Sequence, residues 1–593
     1  MQNRPGTRDK AGEGLPQRVD AAFFLLIFAF AFTLRLIYLF RIKSFPLFYH
    51  LVGDARSYDE WARQIAAGDW LGKGVFYQAP LYPYFLGLLQ VIFGHDLWSI
   101  RLIQITLGAL SCSFLYLAGK LFLSREAGIA AGFMLSLYAP AIFFDALIQK
   151  TVLDLLLITL LLFLLAATES KPHWSRWGAA GVVMGLLGLT RENALVWLFA
   201  LPIWIWLHFA AYKAQVRLRW VGIFLLGLAL VLLPVGLRNL EVGGEFTLTT
   251  SQLGPNFFIG NNPLADGSYI PLRSGHSSSQ YERRDATELA EQALGRSLTP
   301  GEVSAYWLRR SWDYISSQPS QWLRLIGRKW MMTWNVRELE DTEDFYLYQN
   351  WSAFLRVLGW ANHFGVLAPL AALGFVLTWG QRRKLWLLYL LLGTLAFSVT
   401  LFYVFGRYRF SMVPLLTLFA GAGLTGLFAL LRERSMRQLL TCAAVLLLAA
   451  AAVHWPMGEP GPSASALNNL GIALARQGRI AEAIRSYELA IRARPAFAVA
   501  HNNLASTLAR QGKLDEAIRH YQEAVRIDPD YANAHNDLGV VLARWGDIDK
   551  AAIHFRLALR IQPQFAEAHQ NLSRALAQQG KLCSGTCLSR RRQ

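Results

Sequence analysis

The chain has 593 residues, 54% hydrophobic and 13% aromatic against 17% charged, with a mean hydropathy of +0.28. That is too apolar for a purely aqueous enzyme or binding module of this size. The formal charge of +18 invites a nucleic-acid partner, but the basic residues lie in short loops between apolar runs and form no stripe with interleaved aromatics, which argues against nucleic acid.

From the N-terminus, a polar stretch (1–20) leads into a full-length apolar run with no small-residue cleavage pattern, so it reads as a cytoplasmic tail and a first span. Apolar runs of roughly 17–25 residues, the length that crosses a bilayer core, recur to about Val453. They predict eleven spans, at 21–42, 97–119, 127–143, 147–168, 177–190, 193–211, 220–237, 353–378, 385–403, 411–431 and 439–455. Every second connection is short and basic: Lys120 and Arg125; Lys171 and Arg176; Lys213, Arg217 and Arg219; Arg382, Arg383 and Lys384; Arg432, Arg434 and Arg437. The tail adds Arg4, Arg8, Lys10 and Arg18. Positive charge stays inside. This predicts a multi-pass protein of the inner (cytoplasmic) membrane with outer loops at 43–96 and 238–352 and an extracytoplasmic C-terminal part.

The first outer loop contains HLVGDARSYDEWA, with Asp54, Asp59 and Glu60 just outside the bilayer. Trp61, Ile65 and Ala66 fall at helical spacing in Tyr58–Ala67, and Leu81–Phe93 is broadly apolar and aromatic. Both read as helices on the membrane surface. Asp59 and Glu60 read as the solvated side of such a helix. Asp54 precedes it, next to Gly53.

LRLIYL in the first span, GDARSYDEWA, QAPLYPYFLGLLQVIFG, LGLTREN and the late FGRYRFSMVPLLTLFAGAGL follow in that order. Together they resemble the GT-C membrane glycosyltransferases, and within them the branch of dolichyl-phosphate-mannose–protein mannosyltransferases and lipid A aminoarabinose transferases. The resemblance covers most of 20–455. It implies transfer of a sugar, with inversion, from a polyprenyl-phosphate carrier to an acceptor hydroxyl. An alcohol needs a base in hydrogen-bond reach, and the leaving lipid phosphate needs cations in a shielded site. Asp54 matches the family's acidic position and is the implied base; the acid that often follows it is Ala55 here. Asp145, in FFDALIQK, matches a second acid of some relatives, and equally suits the start of the next helix. Aminoarabinose transferases often carry an acidic–basic pair before the surface-helix proline, where this chain has Gln78-Ala79-Pro80, so the donor differs or is held otherwise.

Arg191, Arg407, Arg409, Lys150 and Arg35 lie at outer ends of spans, against the positive-inside trend. Binding donor phosphate explains them; snorkelling to headgroups is the alternative. In the long outer loop, GPNFFIGNNPLADG is rich in turn formers. Its Asn261, Asn262 and Asp266 suit either a turn or sugar contacts. Trp307, Trp312, Trp322, Trp330 and Trp334 read as an interfacial belt. Cys112 and Cys442 read as packing residues, and Cys583 and Cys587 as a tail that pairs if exported. No His/acid cluster has ligand spacing, with His50 and His95 isolated at the interface, so no cofactor is assigned; a divalent metal is left open.

After a linker at 457–463, runs starting at Asn468, Asn502 and Asn536 repeat every 34 residues, and a partial fourth begins at Gln570. Thirty-four is the tetratricopeptide period, giving units 464–497, 498–531, 532–565 and a partial 566–593. Such repeats bind polypeptides on a concave face. Asn469, Asn503, Asp537 and Asn571 occupy equivalent positions, as a ladder for an extended peptide or as packing groups. The expected fold is all-α: a polytopic membrane domain (21–456) and a short α-solenoid. The expected partners are the bilayer, a polyprenyl-phosphate donor, and a protein acceptor or partner on the repeats. The alternatives are the same chemistry on a lipid or glycan, or a non-catalytic repeat scaffold on a membrane anchor.

Overall fold

Helices are the only regular elements in the computed structural model, which describes residues 11–273, 279–458 and 461–579. The four repeat starts and the apolar runs all become helices, so the all-α class holds. Cys583, Cys587 and the tail of the fourth unit lie outside the described residues.

Seven helices among the described residues are long and apolar enough to cross a membrane, or eight if the bent pair Arg125–Leu137 and Ala139–Asp145, kinked by 59°, counts as one. The sequence predicts eleven spans, and the difference has local causes. Trp174–Gly188 has 15 residues and Trp197–His208 has 12, short of the ~20 a perpendicular crossing needs. Between 353 and 401, where two spans are expected, one apolar stretch of 49 residues is divided into Ala353–Ala361, Phe364–Thr378 and Arg382–Leu401.

Small residues let the membrane helices touch backbone to backbone. A Cβ on Gly374 would stand 1.8 Å from the carbonyl oxygen of Phe419, so Phe364–Thr378 and Val413–Glu433 cross at the closest spacing a helix pair allows. Asp20 pairs with Lys120 and Arg125 at the end of the bundle where the chain enters.

The outer-loop helices Gly53–Ala66 and Leu81–Phe93 pack against each other through Tyr58, Ala62, Tyr82 and Leu86. Asp59 is not the solvated residue that the pattern suggests. It is 3% exposed and accepts from Gln90 Nε2 at 3.0 Å, pairs with Arg63 at 2.6 Å, and lies 2.8 Å from His95 Nε2. His95 is therefore not isolated. It helps close a polar knot between the two helices.

The repeats form helical hairpins, Ala464–Arg476 with Ile480–Ala493, Ala498–Arg510 with Leu514–Ile527, Ala532–Trp545 with Ile548–Ile561, followed by Ala566–Gln578. They are seated on the outer-loop end of the membrane bundle. Val336 N donates to Val453 O at 2.9 Å, and Asn335 Nδ2 to Trp455 O at 2.7 Å. Ser463, the N-cap of the first repeat helix, donates its backbone N–H to Asp344 Oδ2 at 2.8 Å. Arg476 reaches His50 Nδ1 at 3.2 Å.

Deep in the bundle, Arg35 Nε and Asp145 Oδ2 are 2.7 Å apart with both side chains fully buried. Gly108 makes room for them, since a Cβ there would lie 2.1 Å from Asp145 Oδ2. A lone buried charge is costly, while an apolar pair of similar volume is tolerated. Arg35→Met is thus expected to destabilise the protein by about 3–5 kcal/mol, and Arg35→Met with Asp145→Leu to recover most of it. Thermal unfolding in nanodiscs checks both; a double variant as unstable as the single would count against the pairing.

Candidate active site

At the outer-loop end, the first loop, the long loop and the first two repeats enclose a cavity of about 1110 Å³. Its centre is one guanidinium between two carboxylates. Arg407 Nη1 is 2.6 Å from Asp54 Oδ2, and Arg407 Nε is 2.8 Å from Asp341 Oδ2. Gln149 Oε1 accepts from Nη1 at 3.4 Å, and Gln78 Nε2 donates to Asp54 Oδ1 at 3.2 Å. Gln78 stands where the aminoarabinose-type pattern has charge; in this chain it holds the acid.

Local structure explains the meeting of positions so distant in sequence. Asp54 lies in the first turn of Gly53–Ala66. Gly53 has φ +52°, and a Cβ on it would stand 2.0 Å from Thr342 Cγ2, so only glycine lets this turn press onto the segment carrying Asp341. Arg407 sits in the short turn Gly406–Arg409 that opens the span after it. Its neighbour Arg409 points the other way: it pairs with Glu338 at 2.8 Å and donates to the carbonyls of Asn335 and Arg337. Arg409 thereby fixes the segment 335–341 against the bundle.

Sharing one cation separates the two acids. Burial alone would raise Asp54, but the Arg407 charge and hydrogen bond, with Lys150 and Gln78 adding, hold its carboxyl below the ordinary value. Asp341 is pushed up to about 6 by burial and by the Asp54 charge, with Arg407 pulling the other way. Nearby, Glu282 accepts from the hydroxyls of Tyr77 at 2.6 Å and Tyr269 at 2.9 Å, and burial raises its carboxyl.

Two further cations face the cavity. Arg191 is committed to Asp154, with Nε at 3.0 Å, and lies over the Tyr408 ring at 5.2 Å. Lys150 is 8% exposed and has no hydrogen-bond or salt-bridge partner among the described residues. The charges of Asp54, Glu192 and Asp154 reach its amine only at longer range.

Of the sequence-predicted residues, Asp54, Arg407, Arg191, Lys150 and Asn469 line this one cavity. Arg35, Asp145 and Arg409 do not. The first two neutralise each other within the bundle, and the third is bound to Glu338 and backbone carbonyls. Asn503 Nδ2 donates to Asn468 at 2.9 Å, Asn571 Nδ2 to Asn536 at 3.0 Å, and Asp537 accepts from Asn536 at 3.3 Å; these three tie neighbouring repeats or turns together. Asn261 is fully buried in its turn, donating to Leu401 O at 2.7 Å and accepting from Trp322 Nε1 at 3.0 Å. Asp266 lines the cavity and accepts from Ser268. No cluster of three His, Cys, Asp or Glu among the described residues is placed to hold a metal.

Asp341, Glu282 and Tyr269 are absent from the sequence reading. The available signal was RELEDTED (Arg337–Asp344), a dense acidic run in a strongly basic chain. Removing the central cation should expose the tension there. Arg407→Ala is expected to cost about 3 kcal/mol or more by leaving two acids unopposed. In an Asp341→Asn background the same change should cost less, by a coupling of about 1–3 kcal/mol. Equal costs in both backgrounds, read by thermal unfolding, would mean Asp341 does not feel Arg407.

Residues 77–236 match the family described as dolichyl-phosphate-mannose-protein mannosyltransferase. Residues 464–497 and 497–564 match tetratricopeptide-repeat families. No curated protein matches the chain. Solved structures similar to it include the first tetratricopeptide domain of Spaghetti bound to an HSP90 peptide, at 25% identity, covering 20% of this chain and 93% of that one with a TM-score of 0.20. MamA aligns at 27% identity over 20% and 70% of the two chains with a TM-score of 0.20. The Arabidopsis OM64 tetratricopeptide domain aligns at 23% identity over 19% and 93%, with a TM-score of 0.19.

Proposed function

We propose that this chain, which joins a membrane glycosyltransferase domain of the dolichyl-phosphate-mannose-protein mannosyltransferase type to tetratricopeptide repeats, moves a sugar from a polyprenyl-phosphate carrier to an acceptor hydroxyl. The observation that carries the reading is one chamber lined by a carboxylate, Asp54, paired with Arg407, and by an amine, Lys150, with no carboxylate in direct contact. A base and an anion site are the two things this transfer demands.

In this reading the acceptor hydroxyl attacks the anomeric carbon from the side of Asp54, which takes its proton. The bond from that carbon to the phosphate oxygen breaks, the configuration inverts, and the lipid phosphate leaves as an anion. Lys150 and Arg191 face that anion. Arg407, opposed by two carboxylates, is suited to orient Asp54 rather than to hold phosphate. A second, apolar recess of about 460 Å³ is lined by Val196, Tyr389, Gly393, Phe397 and Leu401 among others, and Val196 and Leu401 are next in sequence to the cavity residues Leu195 and Phe402. It suits the tail of a lipid donor. One basic connection, Lys120 and Arg125, meets Asp20 where the chain enters the bundle, and the alternation of basic loops along the chain supports a chamber on the extracytoplasmic side of the inner membrane. The first two repeats form part of the chamber wall, which supports a polypeptide acceptor.

Purified protein in nanodiscs, given a panel of radiolabelled polyprenyl-phosphate sugars and a membrane-plus-periplasm extract, should move label to an acceptor. Asp54→Asn should lower the rate by about 10²–10⁴-fold. Label running with lipid or glycan would reassign the acceptor. Folded protein that transfers nothing across the panel would favour a scaffold.

The pH profile tests the division between the two acids. Asp341 is protonated below about 6, and Arg407 then acts on Asp54 alone, making Asp54 a weaker base. The native rate should therefore fall as pH drops through about 6. Asp341→Asn mimics the protonated form, so its rate at neutral pH should already match the native low-pH level, with no step near that pH. A step that persists in the variant would assign it to another group.

A further inference from the structure

We infer that the mouth of this cavity selects a polypeptide with acidic residues flanking, not adjoining, the accepting hydroxyl. What happens to the segment afterwards rests on the transferase reading; its binding does not.

Four arginines line the mouth from two sides. Arg328 and Arg337 come from the long outer loop. Arg476 ends the first repeat helix, and Arg494 caps the second. None has a carboxylate within salt-bridge distance among the described residues. Arg337 reaches only Met457 O at 3.5 Å, Arg476 only His50 Nδ1 at 3.2 Å, and Arg494 lies over the Phe497 ring at 4.9 Å. Arg35, Arg191, Arg407 and Arg409 each have an acid within 3 Å.

Glu340 and Asp528 share the lining with these four arginines. Burial and Asp344 drive Glu340 up to about 7, with Arg337 pulling the other way, so the arginines outnumber the acids at the mouth. Farther in, acids and cations are mixed. Arg407 is already taken by Asp54 and Asp341, and Arg191 by Asp154, so an acid next to the hydroxyl meets the Asp54 carboxylate where an acid at the rim meets arginine. A neutral centre with acidic flanks is the pattern that matches both zones.

The positive charge continues along the repeats. Arg510 and Arg544 recur at the 34-residue period of Arg476, are exposed, and make no salt bridge among the described residues. On the first repeat that face, with Ser465, Asn469, Ile472 and Arg476, is part of the cavity wall. A row that follows the repeat period suits an extended chain lying along the hairpins. A compact headgroup would engage only the rim.

Fluorescent synthetic peptides with one serine test this with the full-length protein in nanodiscs, by anisotropy and without donor. Peptides with acidic flanks should bind about tenfold more tightly than the same peptides with amide flanks. The preference should weaken with salt. Arg476→Glu with Arg494→Glu should abolish it, while Arg476→Lys with Arg494→Lys should retain most of it; an unchanged unfolding midpoint confirms that each variant is folded. Equal binding of acidic and neutral peptides, or a preference that survives the charge reversal, overturns the inference. Tighter capture of an anionic glycan or of acidic-lipid vesicles than of any peptide also overturns it and gives the mouth to that ligand. Acidic-peptide binding without any sugar transfer would leave the inference standing and remove the transferase reading instead.

Discussion

One guanidinium between two buried carboxylates organises this molecule. Arg407 meets Asp54 from the first outer loop and Asp341 from the end of the long one. Three pieces of chain that share no local structure are thereby drawn to one point at the edge of the bundle. A single acid and a single arginine would make a neutral pair with little pull on its surroundings. Two acids on one cation leave a net negative charge, and burial makes the second acid hard to ionise. The outcome is a graded site, with one carboxyl held ionised and the other titrating near neutrality. Where a second acid next to Asp54 is expected from the resemblance, the chain has Ala55, and Asp341 brings an acid to the same cation from far along the sequence.

The membrane half was legible because its code is coarse. Apolar length marks helices, basic loops mark one side, and both survive even where helices prove too short to cross alone. The repeats were legible because a period of 34 residues is hard to mimic. Asp54 could be singled out because it sits beside a glycine just outside the first span, although the helix expected to follow it begins at Gly53 and takes Asp54 into its first turn. Asp341 could not, since its partner lies 66 positions later and nothing local distinguishes it from Glu340 or Glu343. Arg35 and Asp145 show the opposite failure. Each looked like a functional charge at a membrane boundary, and no sequence pattern says that the two are one buried pair. Asp59 failed for a related reason: a helical wheel shows which side is polar, not whether a second helix with Gln90 and His95 will cover it.

The roles of the cations follow from what already opposes each. Arg191 and Arg409 sat together with Arg407 as exceptions to the positive-inside trend, yet their surroundings differ. Arg409 is bound by Glu338 and main-chain carbonyls and acts on the shape of 335–341. Arg191 faces the chamber with Asp154 behind it. Lys150 faces the chamber with no carboxylate in direct contact. A buried ammonium without a partner is unfavourable in the resting protein, and an arriving phosphate relieves that cost. By this measure the anion site is where the protein is least satisfied, not where its arginines are densest.

The segment 335–344 joins these arguments. Its first residue holds the end of the last membrane helix and the linker through Val453 and Trp455. Glu338 receives Arg409, Asp341 receives Arg407, Thr342 abuts Gly53, and Asp344 receives the backbone of Ser463 at the start of the repeats. The surface that would hold an acceptor and the carboxylate that would activate it are thus attached within a few residues of each other on one short stretch. Attachment through these contacts is what lets the repeats form a wall of the chamber.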